Sequence, residues 1–141
     1  MENNTANTVT VNTTIGAPAE KVWQYFTTPE HITQWNKASD EWHTPSVEND
    51  LKVGGGFVYR MEARDKSFGF DFSGVYTDIQ PNRLIAYTMV DGRKVTIQFT
   101  AKGDTTEVVE TFDAEEDNPI DLQRTGWQAI LDSFKKHVEN N

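Results

Sequence analysis

If Phe112 faces the interior of a strand through VVETF, residues 108 to 112, the two-residue period turns Val108 and Glu110 the same way and sets a carboxyl among apolar side chains. Burial disfavours the charged form, so such a group has its pKa raised unless a donor or a cation meets it. It can anchor a polar atom of a ligand or act as a general acid. In the competing frame, a bulge turns Glu110 out to solvent or to an outer-face arginine. The letters alone leave both frames open.

The other chemistry-bearing groups form no comparable constellation. His31, His43 and His137 are far apart and belong to no HExxH pattern, so no metal is expected, and His137 reads as a favourable charge near a helix C-terminus. With no cysteine, no GxSxG and no histidine set beside a serine, nucleophilic catalysis has no support. Gly54-Gly55-Gly56 lacks both a following Lys-Ser or Lys-Thr and GxGxxG spacing. It reads as a bend into a strand rather than a phosphate loop. Glu115, Glu116 and Asp117 read as solvated loop. No catalytic residue and no cofactor is assigned.

A chain of 141 residues is one domain's length, here 8–141 after a flexible tail over 1–7. Hydrophobic residues make up 36%, but 8 Phe, 4 Trp and 4 Tyr concentrate the apolar volume in rings. The net charge of -9 repels phosphate backbones and anionic lipid, which argues against nucleic acid and membrane partners. There is neither a signal-peptide core nor a spanning segment, and a cytoplasmic location is expected.

Thr8 to Ile15 alternates as a half-buried strand. Pro18 opens a short helix with Val22, Tyr25 and Phe26 on its apolar side, and Thr28-Pro29 opens a second with Ile32 and Trp35. Residues 36 to 50 read mostly as loop. A strand with Phe57, Tyr59 and Met61 on one face follows, then SFGFDFSGVY, which sets Phe68, Phe70, Phe72 and Tyr76 together and turns Asp71 away. Further strands carry Ile85, Tyr87 and Met89, then Val95, Ile97 and Phe99, then Val108 to Phe112. Asp91-Gly92 predicts a type I′ hairpin turn. Asn118 as N-cap and Pro119 open a terminal helix striped by Trp127, Ile130, Leu131, Phe134 and Val138.

The class is α+β, an antiparallel sheet of about seven strands wrapped round one long helix. One stripe of side chains cannot fill a wide concavity, so space lined by rings suggests a cavity for an apolar small molecule. The candidate lining is Phe57, Tyr59, Met61, Phe70, Phe72, Tyr87, Met89, Ile97, Phe99, Glu110 and Phe112 from the sheet and Trp127 and Ile130 from the helix. Trp35 and Trp42 flank a loop at the mouth, where a tryptophan reads equally as a gate of the cavity or a plug of the core. Phe68 and Tyr76, nearer the strand's ends, are expected to close the core. Gly126 in the long helix reads as close helix-to-sheet packing or as room for a ligand beside Trp127.

The ordered run APAEKVWQYFTTPEHITQW, DLKVGGGFVYRMEARD, GFDFSGVYTDI and GWQAILDSFKKHVE resembles the SRPBCC (START-like, helix-grip) superfamily. Within it, the chain is similar to the bacterial branch related to the C-terminal domain of the activator of the heat-shock-protein-90 ATPase. The resemblance implies a seven-stranded sheet gripping the C-terminal helix over a cavity that often holds lipids, sterols, polyketides or phenolics. It also implies two other readings, a heat-shock chaperone as partner or a polyketide cyclase or aromatase chemistry with Glu110 as its acid. The chain offers no room for the extra N-terminal domain of the full-length eukaryotic activators, which weighs against the chaperone. The turn at Arg64-Asp65-Lys66-Ser67 departs from the pattern in lacking a glycine after the aspartate.

Overall fold

The strands and helices of the computed structural model follow one another as β1 (Thr8–Ile15), α1 (Ala19–Thr27), α2 (Pro29–Trp35), β2 (Trp42–Asn49), β3 (Gly56–Ala63), β4 (Gly69–Gln80), β5 (Leu84–Met89), β6 (Lys94–Lys102), β7 (Thr105–Asp113) and α3 (Ile120–Glu139). Residues 7–141 are described. The tail expected over 1–7 lies outside them except for Asn7, whose carbonyl accepts the Ala114 N–H at 2.8 Å. Seven antiparallel strands form one sheet in the order β1-β7-β6-β5-β4-β3-β2. The α+β helix-grip architecture is therefore as expected, with the sheet curled into a half-barrel round α3.

Bulges produce much of the curl. β4 is 12 residues long, and its register against β5 slips between Tyr76 and Asp78, so that Thr77 is the extra residue. Such an insertion bends the strand and also resets its parity, which lets Tyr76 and Ile79 both serve the concave side. Gly74, opposite Phe57, makes a second accommodation. A Cβ there would lie 2.8 Å from the Thr88 carbonyl and 3.0 Å from the Phe57 ring, so only glycine lets that ring lie across the sheet.

The region expected to be loop contains β2. Its sequence, WHTPSVEN, has a proline and few apolar residues, so no period-2 signal was available. An edge position explains this: β2 pairs only with β3, and Pro45 falls in the register slip between His43 and Ser46, where a missing N–H breaks no ladder. Three side-chain bonds tie it to the helix ends: Thr44 Oγ1 donates to the Asn36 carbonyl at 2.6 Å and accepts from Asn36 Nδ2 at 3.2 Å, and Asn49 Nδ2 donates to the Thr27 carbonyl at 2.8 Å.

The Asp91-Gly92 turn also differs from expectation. Gly92 has φ 94° but Asp91 does not have positive φ, which rules out type I′. Instead Gly92 N–H donates to the Met89 carbonyl and Met89 N–H to the Arg93 carbonyl, a three-residue loop ending in a left-handed glycine. The Asp91 carboxylate accepts the Arg93 N–H at 3.1 Å, which holds aspartate in the turn. A similar turn joins β3 to β4, where Lys66 occupies the left-handed position at φ 66°. Because a side chain there costs about 1–2 kcal/mol, Lys66→Gly is expected to stabilise the protein by ~1 kcal/mol in urea unfolding. A loss of stability would show that the lysine side chain is held by something stronger than its backbone strain.

At the start of α3 the cap is Pro119, not Asn118. The Asn118 side chain donates to Glu115 instead, and the buried Gln123 amide fastens this loop, accepting from Glu115 N–H and donating to the Glu115 and Asn118 carbonyls. Glu115 thus ties this loop to the helix, while Glu116 and Asp117 stay exposed. α3 spans 20 residues, about 30 Å, and its backbone packs against β1, α1 and α2. Gln128 and Lys135 donate to the Asn12 and Thr14 carbonyls of β1, and Glu139 accepts Gly16 N–H at 2.7 Å. Anchored along β1, the helix stands off from β3–β5, and only side chains span that gap. No helix among the described residues is long and apolar enough to cross a membrane.

Candidate functional site

The gap is a cavity of about 180 Å³. β3 contributes Phe57, Tyr59 and Met61; β4 contributes Phe70, Phe72 and Tyr76; β5 contributes Ile85 and Tyr87; β7 contributes Glu110; α3 contributes Trp127 and Ile130. Phe26, Thr27, Trp35 and Asn36, from the ends of α1 and α2, close it from the side. Ten of the fifteen residues singled out in the sequence meet here: Trp35, Phe57, Tyr59, Met61, Phe70, Phe72, Tyr87, Glu110, Trp127 and Ile130.

The other five sit elsewhere. Ile97, Phe99 and Phe112 face the same way but are covered: Phe112 lies stacked beneath Trp127 at 4.0 Å, and Phe99 meets Trp23 and Phe26 edge-on. Met89 faces an outer groove with Arg93, Glu115 and Gln123. Trp42 packs on Phe68 and Phe70 near the sheet's open edge. Phe68 itself is 60% exposed and does not close the core, because β4 begins only at Gly69 and the preceding residue belongs to the turn. Phe70 is 38% exposed while lining the cavity, so the space reaches the surface beside it. Phe70, Phe72 and Trp127 form the partition between the cavity and the outer groove. Asp71 points away, toward Arg60 on the convex face.

Sequence reasoning passed over Phe26, Thr27, Asn36, Tyr76 and Ile85. Ile85 shares the parity of Tyr87, and Phe26 lies on the apolar side of α1; both signals were in the letters. Tyr76 was placed at a strand end because the bulge that follows it was invisible. Thr27 and Asn36 are polar helix-end residues without any pattern to mark them.

Trp35 is a plug rather than a gate. Its indole N–H donates to the Tyr25 carbonyl at 2.9 Å, and its ring packs on Phe26 and Phe134 at 5.1 and 4.8 Å. At the polar side of the cavity the Tyr76 hydroxyl donates to Asn49 Oδ1. Burial raises the phenol pKa values of Tyr59, Tyr76 and Tyr87, so all three stay neutral donors.

Glu110 takes the inward frame. It is 7% exposed, lies between Val11 of β1 and Ile97 of β6, and meets no hydrogen-bond partner among the described residues. Burial alone pushes its carboxyl from 4.5 up to about 8. The group can donate one hydrogen bond into the cavity when protonated or hold a cation when ionised. No lysine, arginine or histidine among the described residues lines the space.

Near the cavity, Gly126 does not mark tight packing: a Cβ added there would meet nothing within 4 Å. Gly126→Ala is therefore expected to stabilise the fold by ~1 kcal/mol through helix propensity, read as a rise in the urea midpoint. His137 is likewise no simple terminal charge. Asn141 donates to its Nδ1, so its Nε2–H donates to Nδ1 of His31 at 2.9 Å, with Tyr25 stacked on His31 at 3.8 Å. Burial and the neighbouring His31 lower its pKa. Among the described residues no three His, Asp or Glu side chains converge on a metal position.

Comparisons with known proteins agree with this architecture. The family described as Activator of Hsp90 ATPase homolog 1-like protein matches residues 16–139. A solution structure of an AHSA1-like protein from Aeromonas hydrophila is 41% identical with a TM-score of 0.89, covering 95% of this chain and 93% of that one. A Cytophaga hutchinsonii protein is 57% identical with a TM-score of 0.81, covering 94% and 92%. The Aha1 dimer from Colwellia psychrerythraea, 21% identical with a TM-score of 0.73 over 94% of this chain and 96% of that one, shares the fold. A search of curated proteins gave no match. The order of elements, the gripped helix and a match over nearly the whole chain lead to one conclusion: the protein belongs to the Activator of Hsp90 ATPase homolog 1-like family.

Proposed function

We propose that the protein binds a small apolar molecule carrying an aromatic ring in the cavity between sheet and α3, without chemical conversion. The observation that carries this reading is a space of about 180 Å³ walled by nine aromatic side chains, which the single stripe of α3 leaves unfilled. A dry apolar cavity of roughly 150 Å³ takes up a benzene-sized guest, whereas pockets for drug-sized ligands run from roughly 300 Å³ upward. The size therefore favours a one-ring ligand over a sterol or a long acyl chain. The partition formed by Phe70, Phe72 and Trp127 supplies a route for the ligand, since these rings face both the cavity and the surface.

A thermal-shift and ligand-observed NMR series of one-ring and two-ring aromatics tests the proposal. A ligand at a hundredfold its dissociation constant adds about 2.7 kcal/mol of stability. Absence of both signals for every member of the series would refute it. The family match over residues 16–139 supports a second reading, stimulation of a heat-shock chaperone ATPase. An unchanged ATPase rate of the cognate chaperone on titration with this protein would end that reading.

A further inference from the structure

We infer that the apolar, aromatic body of the ligand carries an amine or quaternary ammonium group, whose charged nitrogen sits against Glu110. The inference rests on the cavity being a ligand site and adds the ligand's chemical class. Glu110 is 93% buried, lines the cavity and meets no donor among the described residues, so the one ionisable carboxyl of the space is left for something outside the chain. A buried carboxyl without a partner is a cost to the fold unless a ligand uses it.

The surroundings select the charge of that ligand. No cationic side chain among the described residues lines the cavity, so an anionic group would meet a carboxyl and ring faces, both repulsive to it, with only neutral phenols to offset them. A cation meets the carboxylate and the negative faces of the rings at once, an attraction that strengthens when water is excluded. The net charge of -9 also draws cations toward the surface. A neutral ligand could accept one hydrogen bond from the protonated acid but would leave the ring faces without a charge to engage.

The other titratable groups facing the cavity are Tyr59 of β3, Tyr76 of β4 and Tyr87 of β5, and α1, α2 and α3 present none to it. Arg93, paired with Asp91 at 2.7 Å, lies in the outer groove. Glu110 is consequently the group that changes protonation on binding. Its protonated carboxyl becomes carboxylate beside the ligand cation, and the proton passes to the buffer.

Phenyltrimethylammonium and tert-butylbenzene have the same shape and differ in charge, which makes them suitable probes. Titration calorimetry of the intact protein at pH 7, in two buffers of different ionisation enthalpy, should show the cation binding at least about tenfold tighter. It should also show release of about one proton per cation bound. Glu110→Gln should erase both the preference and the proton release while still binding tert-butylbenzene. Equal or tighter binding of the hydrocarbon, cation binding without proton release, or a preference that survives in Glu110→Gln overturns the inference and leaves the cavity reading standing. Failure of both probes to bind overturns the inference, and the cavity reading is then decided by the one-ring and two-ring series.

Discussion

Glu110→Gln is expected to stabilise the unliganded protein by about 3 kcal/mol at pH 7 and by on the order of 5 kcal/mol above pH 8, while changing little below pH 4. The sign follows from the direction of the shift. Burial raises the Glu110 carboxyl from 4.5 to about 8, so between these values the folded state binds the proton that the unfolded state has lost. Stability is therefore fully present below pH 4.5, declines as pH rises through the window, and levels off above 8. Glutamine keeps the shape and cannot ionise, so the variant lacks the decline.

Other groups do not mask the effect. Asp40, Asp65, Asp91 and Glu139 have lowered pKa values and act at more acidic pH. His137, also lowered, removes stability as pH falls below 6.5, opposite in sign to Glu110 within the shared range. Both contributions are common to wild type and variant and cancel in their difference. Urea unfolding of the two proteins at several pH values from 4 to 9 gives that difference directly. A difference independent of pH would mean that Glu110 is not desolvated in the folded state.

Phe134→Ala is expected to cost about 3–5 kcal/mol, against less than about 2 kcal/mol for Ile130→Ala on the same helix. Phe134 is wholly buried and meets Phe26 and Trp35 edge-on at 5.0 and 4.8 Å, so its removal leaves a hole that these rings cannot close. Ile130 is half-buried and already borders empty space, so it has fewer contacts to lose and its truncation enlarges an existing void. Paired urea titrations measure both costs. Equal losses would show that the cavity wall at Ile130 is packed as tightly as the core. The Ile130 variant should in turn accept two-ring aromatics better than wild type does.

Much of this was legible in the letters where one face of an element is buried and the other is wet. The alternation in β1, β3, β6 and β7 and the stripe of α3 appear in the burial of Val9, Phe57, Ile97, Val108 and Phe134. β2 left no such trace, because an edge strand held by Asn36, Thr27 and one neighbouring strand needs few apolar residues. The Asp91-Gly92 hairpin was located but misassigned, since its dipeptide suits two turn types that differ in loop length and in the φ of Asp91.

The sequence by itself determined the class, the order of every element but β2 and the one long helix, because hydrophobic period and turn chemistry are local properties of the chain, while its motifs carried the resemblance to the family. It also named most of the rings, but left open whether Glu110 shares the face of Phe112. Only the tertiary structure decided which rings wall an empty space and which are covered by a neighbour, as Phe112 is by Trp127. Only it set Phe68 outside and Tyr76 within. The reason is physical: parity assigns a side chain to a face, but exposure to a cavity depends on where α3, anchored along β1, stands away from the curled sheet. The same geometry left Glu110 without a partner among the described residues, since hydrogen bonding is settled by what lies across the gap and not by what lies beside it in the chain.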